Sequence, residues 1–532
     1  MAHYYVSTHG NDQNTGTQTA PLRTIQCAAD LVEPGDTVFV APGTYNESIT
    51  LRRGGTKDRP ITFQSEKRFG AIINGEGKRD SLFVSDETMD IFPQGAKRND
   101  GSRYAKYITV RGFVFEGAKA TPETNDSNQD LNAAVRASAG WILQDCKIAN
   151  CDYQALDIRD YTGGHATDFL VNRVVIENTG GKGAGCNHCD SGMFKDCIIR
   201  RANLNDWDTA HNTSSSKCCV NQNIIFDGLT VYDGNGMGIW WDIFNENITI
   251  RNCTSFANHG KKGWAGGGAM FEISGGPALI CNNLFHSNSG PGLLHAESGY
   301  KGMIYITDNL FQNNREGIDI RCMQRPDPNL PEETCYIMNA TIRNNQFKNW
   351  KWIAWGTGMI DERVQGVERP ADINFSIDCN LYEPGEKMGL WNGKYANSLE
   401  EMQQLWGCEK HGIVCHLDTG VEEYPLQQDD PGLVVDPTNE SLTIDSEVKT
   451  LGQTVAIPVF RRGEFYGEPG KYKVDLFDLQ ARAFTLENID YQQRRVLEKE
   501  ISVWTKSMTP KYVQVTPTLL DEYDYRGTFA GI

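Results

Sequence analysis

From about residue 105 the chain repeats one short phrase: apolar, any residue, apolar, any residue, then Asn, Asp or Gly. Anchored on the second apolar position, it recurs at Val110, Leu143, Leu170, Phe194, Ile225, Ile250, Ile280, Ile306 and Ile342, in steps of 33, 27, 24, 31, 25, 30, 26 and 36 residues. Alternation of period two over so short a run predicts a strand with one face in a core. A propeller needs four strands per blade and a period nearer about 45 residues, and helical repeats need long amphipathic runs, which are missing here. Short β-branched strands separated by Gly and Asn turns predict stacked coils instead, the pattern of a parallel β-helix. The asparagines suit that architecture. Asn accepts the left-handed backbone where a chain turns between sheets, and stacked amides can hydrogen-bond along a ladder.

The N-terminus reads as a strand at Tyr4-Tyr5-Val6-Ser7, a glycine-rich turn and a short helix to about Leu31, followed by strands at Thr37-Val38-Phe39-Val40 and Ile61-Thr62-Phe63. This segment resembles the cap and first coil of right-handed parallel β-helix proteins, where an amphipathic helix covers the open end of the core. A solenoid needs such a cap for solubility. The expected architecture is all-β: a right-handed parallel β-helix over residues 1–453 with an N-terminal capping helix and loop insertions near 79–104, 119–132 and 354–372. The pattern stops in a C-terminal extension, residues 454–532. A last coil is predicted at 375–380, then a short helix from Ser398 with Glu401 placed to close a capping box.

Composition narrows the partners. With 39% apolar residues and 53 glycines, the chain can bury a large core. Its net charge of −18 argues against nucleic acid and anionic membrane, both of which need a basic footprint. No apolar run approaches the roughly 20 residues that cross a bilayer, and no charged n-region precedes an apolar h-region at the start. The sequence as it stands is expected in the cytoplasm, or secreted or periplasmic if a signal was removed. Of the 15 cysteines, Cys186 and Cys189 flank His188 in a C-x-x-C spacing, but no second pair follows at zinc-ribbon distance. Cys146, Cys197, Cys253 and Cys281 fall in strand-like runs, where a reduced thiol is a small apolar filler. No metal and no cofactor are expected, a structural calcium ion being the exception allowed.

The candidate chemistry lies in a phrase that occurs twice. Gly238-Ile239-Trp240-Trp241-Asp242 leads to the anchor Ile250, and Gly268-Ala269-Met270-Phe271-Glu272 to Ile280. In both halves the acid stands eight residues before the anchor (250 − 242 = 8; 280 − 272 = 8). On successive coils Asp242 and Glu272 then share one column, with roots about 4.8 Å apart, the spacing of hydrogen-bonded strands. Carboxyl groups roughly 5 to 5.5 Å apart belong to retaining glycosidases, whereas inverting enzymes leave about 6.5 to 9.5 Å for a water. The charge on one such carboxylate disfavours ionisation of the other, which puts a proton donor beside a nucleophile. Trp240 and Trp241 are candidate platforms for sugar rings, and His211, His295 and Glu297 candidate hydroxyl binders. The same offset places Lys217 (225 − 8) before Asp242 and Ser298 (306 − 8) after Glu272, with Glu297 one residue out of register. A lysine there would hold Asp242 ionised, so Asp242 is the expected nucleophile and Glu272 the acid/base. A single acid at the end of a strand usually binds water, backbone or an ion; the repetition in register is what points to catalysis.

These residues also carry a resemblance. Gly238-Ile239-Trp240-Trp241-Asp242 and Phe271-Glu272-Ile273-Ser274-Gly275-Gly276-Pro277 resemble the catalytic region of glycoside hydrolase family 120, a β-xylosidase family built on a right-handed β-helix. The resemblance implies the same roles, Asp242 as nucleophile and Glu272 as acid/base, in a retaining glycoside hydrolase of oligo- or polysaccharides. The rival class is a polysaccharide lyase acting on a uronate-containing glycan by β-elimination. Lys217 would then be the base, and Asp206, Asp208, Asp242 and Glu272 would neutralise the uronate, directly or through calcium. A non-catalytic carbohydrate-binding shaft is the third reading. The expected partner in each case is a saccharide.

Overall fold

The structure, a computed structural model, describes residues 1–85, 105–119, 133–159, 165–209, 213–260, 265–299, 302–322, 338–360, 367–417, 419, 465–466, 471–477 and 483–490. Among these residues three sheets of thirteen strands each carry the fold, and every coil visits them in the same order. Thr37–Val40, for example, lies in the first sheet, Gly43–Tyr45 in the second and Ile49–Leu51 in the third; the next coil returns to the first sheet at Ile61–Ser65, pairing in parallel with Thr37–Val40. The third sheet ends in an antiparallel pair, Gly389–Trp391 with Lys394–Ala396. This is the right-handed parallel β-helix read from the periodicity. The described residues divide into two compact units, one up to Ile224 and one from Ile225 onward.

In the first unit, helix α1 (Ile25–Leu31) caps the core. The Thr24 hydroxyl accepts from the Cys27 N–H, and Ile25, Ala28 and Ala29 are buried. Val110 pairs with Leu143 as the repeat requires, but Leu143 then pairs with Val171, not Leu170. The phrase is displaced because Arg173 takes the left-handed turn position (φ 51°) that Asn, Asp or Gly fills in other coils. The anchor at Ile225 shifts in the same way. Gly228 is the left-handed residue there (φ 72°), which makes Phe226 the equivalent position. In the second unit Ile250, Ile280, Ile306 and Ile342 pair in unbroken register.

The turn out of the first sheet explains the asparagines. Asn252, Asn282, Asp308 and Asn344 adopt φ of 55°, 58°, 57° and 56°, a backbone that Asn and Asp tolerate best among residues with side chains. The next residue in each coil points inward and forms a ladder. The Asn283, Asn309 and Asn345 side-chain amides donate to the carboxamide oxygens of Asn309, Asn345 and Asn380 at 2.9, 2.9 and 3.1 Å. The same amide groups donate back to the carbonyls of Ile250, Ile280 and Ile306, each at 2.9 Å. Glu409 ends the ladder, accepting from Asn380 Nδ2 and from the Tyr382 hydroxyl at 2.6 Å each. In three earlier coils this position is cysteine: the Cys146, Cys197 and Cys253 thiols donate to Val110, Val171 and Phe226 carbonyls at 3.6, 3.4 and 3.5 Å. They are buried, unoxidised and, for Cys146 and Cys197, pushed up by burial to about 12. Beside the ladder, Phe285, Phe311, Phe347 and Tyr382 stack at centroid distances of 5.5, 5.3 and 5.1 Å.

Helix α2 (Leu399–Trp406) begins at Ser398, whose hydroxyl accepts from the Glu401 N–H. The expected capping box is only half formed: the Glu401 carboxylate accepts from the Asn397 N–H, one residue too early. Of the expected insertions, residues 86–104 and 120–132 lie outside the described residues, and residues 354–360 continue the third-sheet strand Ile353–Ile360. In the C-terminal extension Phe465–Tyr466, Lys471–Phe477 and Ala483–Asp490 form an antiparallel sheet.

Candidate active site

The doubled phrase forms neighbouring strands of the third sheet. Ile239–Asp242 and Ala269–Glu272 pair in parallel, with Trp240 opposite Met270, Trp241 opposite Phe271 and Asp242 opposite Glu272. The acids therefore occupy adjacent rungs, with roots about 4.8 Å apart. Gly268 permits the close stacking at the strand's start, because a Cβ there would lie 2.6 Å from the Gly292 carbonyl oxygen. Trp241 and His295 reach rings that belong to the first sheet, Phe226 at 4.8 Å and Phe375 at 5.4 Å, so this alternation faces the interior. The other alternation, Trp240, Met270, Leu294 and Ala296, forms a separate cluster on the outer face. The acids share that face: the Trp240 indole N–H donates to Glu272 Oε2 at 3.1 Å. Both are well shielded, Asp242 retaining 8% and Glu272 4% of full exposure.

A second polar ladder fixes the ends of the acid-bearing strands. Ile243, Ile273 and Glu297 take left-handed backbone (φ 55°, 43° and 45°), which turns the chain sharply after residues 242, 272 and 296. Ser274 Oγ donates to the Glu272 carbonyl at 2.9 Å and accepts from Asn245 Nδ2 at 3.1 Å; Asn245 Nδ2 also donates to the Asp242 carbonyl at 2.9 Å. Ser298 repeats the arrangement, accepting from the Ser274 N–H at 3.1 Å and donating to the Ala296 carbonyl at 2.9 Å.

The structure brings Trp240 to the acid pair but corrects several neighbours. Trp241 and His295 point into the core, away from the acids, because strand alternation sends odd and even positions to opposite faces. Burial also lowers His295 to about 4, so it is a neutral core group. Ala296, not Ser298, pairs with Glu272. The eight-residue offset fails there because the turn from residue 296 to Ile306 is longer (306 − 296 = 10). Glu297 is one position beyond Ala296, buried in the turn. Lys217 lies in Ser216–Cys219 of the first unit, buried, with its carbonyl against Gly185. His211 lies outside the described residues.

Sequence reasoning missed two residues on the same outer face. Arg321 pairs with Ala296 and Asp319 with Leu294, and the guanidinium Nε and Nη2 both donate to Asp319 Oδ2 at 3.1 Å. The signal was present: Gly317 opens this strand as Gly238 and Gly268 open theirs, and charges at 319 and 321 alternate with isoleucines.

Metal-ligating side chains gather in one other place among the described residues, Asp378, Cys379 and His411. There the His411 Nδ1 and Asp378 Oδ2 lie 2.7 Å apart and Arg343 donates to Cys379 Sγ at 3.2 Å. Cys186 and Cys189 are buried core thiols, while the His188 ring faces His165 with centroids 6.4 Å apart. Among the described residues no helix is long and apolar enough to cross a membrane.

Fold and site together define a right-handed parallel β-helix protein with two carboxyl groups in register on the outer face of one sheet. Residues 4–261 match the family model described as "Pel9A-like, right handed beta helix region". Pectate lyase PEL9 of Emericella nidulans is 24% identical over 328 residues, 59% of this chain and 73% of that protein. Uncharacterized protein YwoF of Bacillus subtilis is 30% identical over 129 residues, 23% of this chain, and the match spans only 28% of YwoF. Among solved structures, the complex of XylC with xylose superposes with a TM-score of 0.51 over 74% of this chain and 86% of that one, at 16% identity, a likeness of fold.

Proposed function

We propose that the protein is a carbohydrate-active enzyme, a retaining glycoside hydrolase in which Asp242 attacks the anomeric carbon while Glu272 protonates the departing oxygen. The observation that carries this reading is the Asp242–Glu272 pairing across adjacent strands. Strand spacing sets the roots at about 4.8 Å, which lets the two carboxyl groups stand at the roughly 5 to 5.5 Å separation of retaining pairs. Glu272 then takes a proton from water as the glycosyl–Asp242 ester is hydrolysed. Double displacement of this kind asks for no metal. The resemblance in the acid-bearing phrases supports a β-xylosidase-like substrate.

The second reading, β-elimination on a uronate glycan, rests on a different observation. In the first unit Arg136 and Asp157 pair on the outward alternation of the third sheet, and Lys182 is buried with its side chain against Gly185. Cations there would suit a carboxylated sugar, and the similarity to a protein named pectate lyase adds to that case. One experiment separates the readings: incubate the protein with aryl glycosides and with polygalacturonate, with and without chelator. Hydrolysis with retained anomeric configuration, lost in Asp242→Ala and Glu272→Ala and partly rescued by azide in one, supports the hydrolase. An inverted product, or a chelator-sensitive unsaturated product that absorbs in the ultraviolet, overturns it.

A further inference from the structure

The acid column continues past Glu272. Its next rung is Ala296 and the one after is Arg321, so the root of an arginine stands two strand spacings, about 10 Å, from the Glu272 root. Only a methyl group stands between them. In the adjoining column Asp319 lies between Leu294 and Gly356, and Gly356 adds no side chain beside it. The register shifts between Asp319 and Arg321 where they pair with the last long strand, the kind of irregularity that re-aims a side chain.

We propose that Asp319 and Arg321 form the sugar subsite beside the acid pair and recognise two adjacent hydroxyls of a neutral pyranose. This rests on the glycosidase reading above and adds to it the class of sugar. A hydroxyl both donates and accepts, so a pair of neighbouring hydroxyls is matched by donor and acceptor groups held side by side. The guanidinium supplies N–H donors and the carboxylate supplies acceptors, and their mutual 3.1 Å contacts fix both in place before any ligand arrives. The pair is balanced in charge, which leaves no surplus cation to hold a uronate. Its side chains are 14% and 10% exposed, so hydrogen bonds to it act in a low dielectric. A purely structural pair is the weaker account: a shielded ion pair is often no more stabilising than apolar side chains of the same size, and each member of this one has a small residue, Gly356 or Ala296, on one side.

The test uses the full chain. Asp242→Asn serves as a parent that binds without turnover, and calorimetry measures its affinity for neutral xylo-, cello- and manno-oligosaccharides and for oligogalacturonate. Arg321→Lys and Asp319→Asn should each weaken binding of the preferred neutral saccharide at least tenfold, and Ala296→Phe, which fills the gap, should abolish it. Urea midpoints identify folded variants, and the isosteric Asp319→Asn carries the test if Arg321→Lys is shifted. In the active enzyme the loss should appear mainly in KM rather than in kcat. Unchanged affinity in the folded variants overturns the subsite; so does a preference for oligogalacturonate, or the absence of binding to any neutral saccharide. Failure of the glycosidase reading looks different: neutral saccharides bind with this dependence on Arg321, yet the wild-type protein hydrolyses none.

Discussion

Replacing Asn309 by alanine isolates what the amide ladder contributes. The Asn309 side chain makes four hydrogen bonds: it donates to the Ile280 carbonyl and to Asn345 Oδ1 at 2.9 Å each, and accepts from the Asn283 N–H at 3.0 Å and Asn283 Nδ2 at 2.9 Å. Truncation leaves the Asn283 N–H without its acceptor in a site of 0% exposure, where an orphaned donor costs about 1–3 kcal/mol. The three other lost bonds, at a net value of about 1 kcal/mol each, bring the expected destabilisation to about 4–6 kcal/mol. Asn309→Asp tests the direction of the bonds. It keeps the acceptors, loses both donations and buries a carboxylate, so it should be worse than alanine at neutral pH and recover part of the loss in acid. Urea unfolding followed by circular dichroism gives the midpoints. If Asn309→Ala lowers stability by less than about 1 kcal/mol, backbone pairing alone holds the coils and the ladder is incidental.

Other expectations follow from the same geometry. Burial raises Glu409 from 4.5 to about 7. Its contribution should therefore be full below about pH 4.5 and fade as pH rises through about 7, a change of about 3 kcal/mol at roughly 1.4 kcal/mol per pH unit. Glu409→Gln should flatten that slope in unfolding curves taken between pH 4 and 9, and an unaltered slope would place the pH dependence elsewhere. Trp240→Phe removes the indole N–H from Glu272 while keeping an aromatic ring; kcat on the preferred aryl glycoside should fall about tenfold, which corresponds to about 1.4 kcal/mol, and the smaller ring in a buried cluster should also lower the unfolding midpoint. Ser274→Ala breaks the rung that ties Asn245 to the Glu272 carbonyl, and both stability and kcat/KM should drop, the former by about 1–2 kcal/mol. Chelation should leave hydrolysis intact, and a chelator-sensitive rate would count against a two-carboxylate mechanism.

The repeat was legible because the chain spells it with residues that the turns require. Asn282, Asp308 and Asn344 mark the left-handed position, and wherever they do, the anchors Ile280, Ile306 and Ile342 fall in true register. Where Arg173 takes that position, or Gly228 lies one residue later than the phrase suggests, the reading slips by one and every side chain changes face. Asp242 and Glu272 were readable because two identical phrases fix their relative register without any knowledge of the turns. Ser298 was misplaced because an offset measured across one turn does not transfer to a longer one. Trp241 and His295 looked like sugar binders because residue type was weighed before alternation; counting by twos from Asp242 and Glu272 sends both inward. Asp319 and Arg321 escaped notice because a salt bridge two residues apart on a strand leaves no mark until its neighbours in the sheet are known.

The turn that follows Ala296 is two residues longer than the turn after Glu272, yet the strands on either side of it pair without a slip. Length can thus be gained at the rim while the shelves stay fixed. A descendant of this protein could meet a bulkier or more branched glycan by editing that rim alone, inheriting the separation of its two carboxyl roots as an unaltered part of the frame.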